Sequence, residues 1–123
     1  MIVSVDHDNI DCSNKEEFEK TIKEQLSKES AEVWISLNGD TEGYPCLALL
    51  VNQDYAALNY FDDDGSCYSS YRGEYERETV YFCDDQYEVD ISQIISKESA
   101  LNVIMDFFPS GDRSEYIQWE QLY

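Results

Sequence analysis

Basic residues are scarce in this chain. Eight Lys and Arg and a single histidine, His7, stand against 27 Asp and Glu, for a formal net charge of −19. A field of that sign repels nucleic-acid phosphates and anionic membrane surfaces and attracts basic proteins. Direct nucleic-acid binding is therefore not expected. Solubility or a halophilic habit would give the same sign, although the charge also opposes folding by self-repulsion. Long apolar runs are missing too: none reaches the length of a membrane span. The opening Met1-Ile2-Val3-Ser4-Val5-Asp6 has neither the basic region nor the apolar stretch of a secretory signal. No membrane association is expected, and the expected location is cytoplasmic.

Chemistry-bearing constellations are equally thin. Cys12, Cys46, Cys67 and Cys83 lie far apart with no C-x-x-C pair, which favours free, buried, reduced thiols over a disulfide framework. With one histidine, a zinc site would need an unusual ligand set, so no metal and no cofactor are expected. His7 sits between Asp6 and Asp8. An Asp-His pair can orient an imidazole, but no nucleophile motif accompanies it, and a surface loop histidine is the simpler reading. Asp62-Asp63-Asp64-Gly65 looks like part of a calcium loop. Placing Gly65 at the sixth loop position, however, puts Tyr60 and Tyr71 where the first and last acidic ligands belong. A solvated hairpin turn remains. No glycine-rich phosphate motif occurs, and no pair of carboxylates is singled out for acid–base work, so the chain is not expected to be an enzyme.

What is present describes a folded domain. The hydrophobic fraction is 42% and the aromatic fraction 14%, far above an acidic disordered tail. The 123 residues fit one domain spanning 1–123. At that size roughly two-thirds of the unfolded surface is buried on folding. Met1 to Val5 suits a short strand. Ser13 is the expected N-cap of a first helix, with Glu16 completing a capping box. Phe18, Ile22 and Leu26 recur at spacing four over about Asn14 to Lys28 and form a narrow apolar stripe.

Strand signals follow. Val33, Ile35 and Leu37 alternate with Trp34 and Ser36, and Leu47–Val51 and Tyr55–Phe61 read as a buried hairpin. Cys67–Tyr71, Thr79–Cys83 and Tyr87–Ile91 are further strands. Ser96 caps a second helix carrying Ala100, Leu101, Ile104, Met105, Phe107 and Phe108, which Pro109 and Gly111 stop. Tyr116–Trp119 is a short strand-like end. The order specifies an α+β fold: an antiparallel sheet of about five to seven strands with two main helices packed against it.

One surface argument remains. Between Tyr60 and Glu88 acids interleave with tyrosines. Tyrosine gives contact area at low entropic cost, and carboxylates meet the Arg and Lys of a partner. The residues expected to bind a basic protein are Asp62, Asp63, Asp64, Tyr68, Tyr71, Glu74, Glu76, Asp84 and Asp85. The competing reading puts about half of the tyrosines in the core, with the acids merely solvated.

Gly43-Tyr44-Pro45-Cys46-Leu47-Ala48-Leu49-Leu50, Tyr55-Ala56-Ala57-Leu58-Asn59-Tyr60-Phe61, Val89-Asp90-Ile91-Ser92 and Ile95-Ser96-Lys97-Glu98 form an ordered series. It continues through Ala100 and Phe107-Phe108 to Ile117-Gln118-Trp119-Glu120-Gln121-Leu122. The series resembles the first immunity-protein family of bacterial polymorphic toxin systems, which includes immunity proteins against cytosine-deaminase toxins. The resemblance spans the chain from Gly43 onward. The first 40 residues and Asp62–Glu78 match it poorly. It implies an α+β protein without enzymatic activity that binds a cognate basic toxin domain in the cytoplasm and occludes its substrate site. That toxin would act on nucleic acid, as a deaminase or nuclease does. A monomer is the expected state. Trp119 matches the family's tail tryptophan and is read first as a packing residue. An acidic nucleic-acid mimic that regulates a basic partner is the alternative.

Overall fold

Every position from Leu47 to Val51 is apolar, and every one is buried. A strand with no polar side must be covered on both faces, and this one is the middle of the fold. A computed structural model of the chain describes residues 1–5, 8–36, 45–71, 79–83 and 87–123. The elements are β1 (Ile2–Val5), β2 (Asp8–Asp11), α1 (Lys15–Leu26), β3 (Ser30–Ser36), β4 (Cys46–Asn52), β5 (Tyr55–Phe61) and β6 (Cys67–Tyr71). After these come β7 (Thr79–Phe82), β8 (Tyr87–Asp90), a 3-10 turn (Ile91–Gln93), β9 (Ile95–Ser96), α2 (Lys97–Ser110) and β10 (Gln118–Gln121).

The main sheet is antiparallel in the order β10-β6-β5-β4-β3-β1-β2, with β9 pairing onto β5. The sequence-based expectation of an α+β fold with two helices on an antiparallel sheet holds. Two short strands that lack a hydrophobic pattern, β2 and β9, complete it. Alternation assigns the faces. Val33 and Ile35 of β3, Leu47, Leu49 and Val51 of β4, and Leu58 and Tyr60 of β5 meet Phe18 and Ile22 of α1 and Ala100, Ile104 and Phe107 of α2 in one core. Phe18 and Phe108 join the two helices, with ring centroids 4.9 Å apart. On the other face β7 and β8 form their own hairpin. Phe82 and Val89, with Ile94, close over Leu50 and Ala57.

The helix ends differ in detail from the sequence reading. The N-cap of α1 is Asn14, not Ser13: Asn14 Oδ1 accepts from Glu17 N at 2.9 Å. Glu17, not Glu16, reaches back, accepting from Ser13 N and Ser13 Oγ, both at 3.2 Å. Asn and Ser cap about equally well; the frame with a Glu three residues after Asn14 supplies the return bonds. For α2 the Ser96 cap holds, with Ser96 Oγ accepting from Ser99 N at 3.0 Å. Pro109 does not stop this helix, which continues through it to Ser110. Gly111, at φ 75°, ends it in the left-handed conformation that glycine adopts without strain.

Candidate functional site

The turn after β5 is tied by its own carboxylates. Asp62 Oδ1 accepts from Asp63 N and Asp64 Oδ1 from Ser66 N, each at 2.8 Å, while Asp62 N donates to Ser66 O at 2.9 Å. Gly65 sits at φ 89°, where a side chain would be strained. These bonds use the acids as turn-formers and still leave Asp63 and Asp64 exposed and Asp62 half-buried. A hydrogen bond shared with Asp62, and the negative charge of Asp62, hold the Asp63 carboxyl above the usual carboxylate range. The Ser66 amide, assisted by the Ser66 hydroxyl, holds Asp64 below it. Three carboxylates at one end of the sheet form a compact negative lip.

Beside the lip lies a cleft of about 520 Å³, lined by Tyr60, Asp62, Asp112, Arg113 and Trp119 among others. Tyr60 and Trp119 are the aromatic members of a mainly polar lining that Ser114, Glu115 and Ile117 complete. Tyr60 meets Trp119 edge-on at 6.2 Å and Tyr68 at 6.3 Å. The Arg113 guanidinium lies 3.6 Å from the centroid of Tyr68 and 5.8 Å from that of Tyr60, a cation held on π-faces. Tyr60 OH donates to Gly111 O at 2.9 Å. Burial, reinforced by Asp62 and Asp112, pushes this phenol up to about 12. Trp119 Nε1 donates to Ser114 O at 2.8 Å, so the tail tryptophan packs and pins the segment between α2 and β10.

The expected binding residues are thus partly gathered. Asp62, Asp63 and Asp64 stand together, and Tyr68 lies on the cleft side. Tyr71, three residues on in the same strand, has the opposite alternation and belongs to the other face of β6. Glu74, Glu76, Asp84 and Asp85 lie outside the described residues, as does His7. Of the other tyrosines in the acidic stretch, Tyr60 is core, Tyr81 is exposed, and Tyr87 donates to Glu32 Oε1 at 2.6 Å.

Sequence reasoning missed Arg113, whose position two residues past a helix-ending glycine carries no pattern. It also missed the stack of Trp34 on Phe61, for which there was a signal: Trp34 occupies the polar phase of an alternating strand. A second concavity, a groove of about 540 Å³ along α1 between Glu16 and Ser27, is lined by Lys20, Lys23 and carboxylates and is the solvated face of an amphipathic helix.

Cys12, Cys46 and Cys67 are buried thiols and Cys83 is half-buried. Among the described residues no three His, Cys, Asp or Glu side chains are grouped to hold a metal ion. No helix of the described residues is long and apolar enough to cross a membrane. Searched against protein-family models and curated proteins, the chain matches no family model and no curated protein.

Proposed function

We propose that this chain is an immunity protein that binds a basic toxin domain and occludes its substrate site. The observation that carries the reading is the negative lip of Asp62, Asp63 and Asp64 beside a mainly polar cleft with Tyr60 and Trp119 in its wall, on a chain of net charge −19. Fixed carboxylates steer a basic partner and set its register, and aromatic surface supplies contact energy once it has docked. A toxin that acts on nucleic acid needs positive potential around its active site, so an acidic protein seated there competes with the substrate. The resemblance of the segments from Gly43 to Leu122 to the first immunity-protein family supports the same reading.

The test is co-expression with the toxin-like protein encoded beside this one, if a toxin is encoded there. The expected result is a stable equimolar complex and protection of the host cell. The absence of both complex and protection would overturn the proposal. Comparable binding to several unrelated basic proteins would replace it with the acidic nucleic-acid mimic.

A further inference from the structure

Trp34 is out of keeping with its strand. It is 41% exposed, while its neighbours Val33 and Ile35 are fully buried, so its ring stands on the sheet face away from the helices. The ring is not loose. It stacks on Phe61 with centroids 5.7 Å apart and planes 24° from parallel. Its Nε1 donates to Glu32 Oε1 at 3.1 Å, and the Tyr87 hydroxyl fixes that same oxygen at 2.6 Å. An indole that only filled the core would be covered, and one merely tolerated at the surface would need no such clamp. An exposed aromatic fixed before binding loses little entropy when a partner covers it, as an interface anchor requires.

The surrounding chemistry names the partner group. An indole face attracts a cation. Both donors to Glu32 address Oε1, so neither of these bonds uses Oε2. Phe61 is followed in the chain by the carboxylates of Asp62, Asp63 and Asp64. A planar guanidinium can lie on an aromatic face and pair with a carboxylate at once, which a compact ammonium does less well. The molecule makes the first of these contacts internally, with Arg113 over Tyr68.

We infer that Trp34 and Phe61 form a docking anchor for an arginine side chain of a basic protein partner, with Glu32 as the receiving carboxylate. The inference rests on the proposed function in taking the partner to be a basic protein. It adds which residue that partner presents and where.

The probe is a short fluorescently labelled arginine-rich peptide, read by anisotropy against its lysine counterpart. The arginine peptide is expected to bind several-fold more tightly than the lysine one. Trp34→Ala and Glu32→Gln are each expected to weaken it by about tenfold, while Glu24→Gln, which removes an equal charge from the exposed face of α1, leaves it unchanged. Glu32→Gln keeps an acceptor for Trp34 and Tyr87, so it guards against loss of fold in Trp34→Ala. Equal affinity for the two peptides, or peptide binding indifferent to both variants, would overturn the inference, because diffuse attraction to the net charge gives that result. The peptide arm needs no toxin, so a toxin that fails to bind sinks the immunity reading and leaves the anchor standing. A toxin complex whose dissociation rate is the same with Trp34→Ala sinks the anchor and leaves the immunity reading.

Discussion

Leu58 and Ser70 share a hydrogen bond that belongs to no strand ladder: the Leu58 amide donates to Ser70 Oγ at 3.0 Å, and that hydroxyl donates onward to Gln93 O at 2.6 Å. The bond sits at a splice. Strand β5 pairs with β6 from Asn59 to Phe61 and with β9 at Tyr55 and Ala56, leaving Leu58 between two partners. One serine side chain bridges the gap and satisfies a buried donor and the carbonyl of the 3-10 turn. Ser70 itself is completely buried. Ser70→Ala should therefore cost about 1–3 kcal/mol, because it strands both groups without water. Urea denaturation gives the measurement; a loss below about 0.5 kcal/mol would show that water or a shifted strand takes over the role.

The splice marks where sequence legibility stops. Apolar alternation and continuous apolar runs were enough to place β4, β5 and both helices, because burial of those residues leaves only one workable arrangement. Strand β9 is two residues long, Ile95 and Ser96, and exists because β5 has an unpaired stretch beside it; no local pattern encodes that. Strand β2 reads Asp8-Asn9-Ile10-Asp11, with every residue exposed. It is recruited by β1 through backbone bonds, to which hydropathy is blind. The site divides in the same way. The Asp62–Gly65 turn was legible from composition, since Asp and Gly each have a reason to be there. Arg113 on Tyr68 joins segments that only the fold brings together.

Alkali should unfold this protein earlier than its carboxylates alone would imply. Burial, with Cys67 adding to it, raises the Cys46 thiol from 9.0 to about 11. Burial raises the Tyr60 phenol from 10.0 to about 12. The bond to Glu32 raises Tyr87 from 10.0 to about 12. Each group keeps its proton longer in the folded state than in the unfolded one. Its contribution is complete below its unfolded value and is lost as pH climbs through the folded value. Stability should hold up to about pH 9 and fall steadily from there to about pH 12. Denaturation midpoints taken across that range test it, and Tyr87→Phe should make the decline shallower. A flat profile would show that these groups reach water freely.

Gln25 offers the opposite sign of change. It is 6% exposed on the inner side of α1, and its Oε1 finds no hydrogen-bond partner among the described residues. A buried acceptor left unpaired costs about 1–3 kcal/mol, and an apolar side chain of similar shape removes that cost. Gln25→Met keeps length and helix propensity. It should raise stability by about 1 kcal/mol, seen as a higher urea midpoint with an unchanged slope. An unchanged or lower midpoint would mean that the amide is satisfied by a bound water.

The acidic turn allows charge to be separated from structure. Asp62 and Asp64 act through their Oδ1 atoms as acceptors for Asp63 N and Ser66 N, which asparagine can also do. Asp63 contributes its backbone amide to the turn, while its carboxyl shares a hydrogen bond with Asp62 against the repulsion of that charge, so its side chain can be reversed. The triple variant Asp62→Asn, Asp63→Lys, Asp64→Asn should fold as well as the parent or slightly better, since a crowded negative surface is relieved. Against the toxin partner its association rate at low salt should fall roughly tenfold, with dissociation little changed, because exposed charges act on encounter more than on residence. Added salt should bring the two association rates together, since the screening length shrinks to about 8 Å at physiological ionic strength. Stopped-flow mixing at several salt concentrations distinguishes the cases. If the rates already coincide at low salt, the partner does not approach over Asp62–Asp64, and the interface must be sought on the face that carries Trp34.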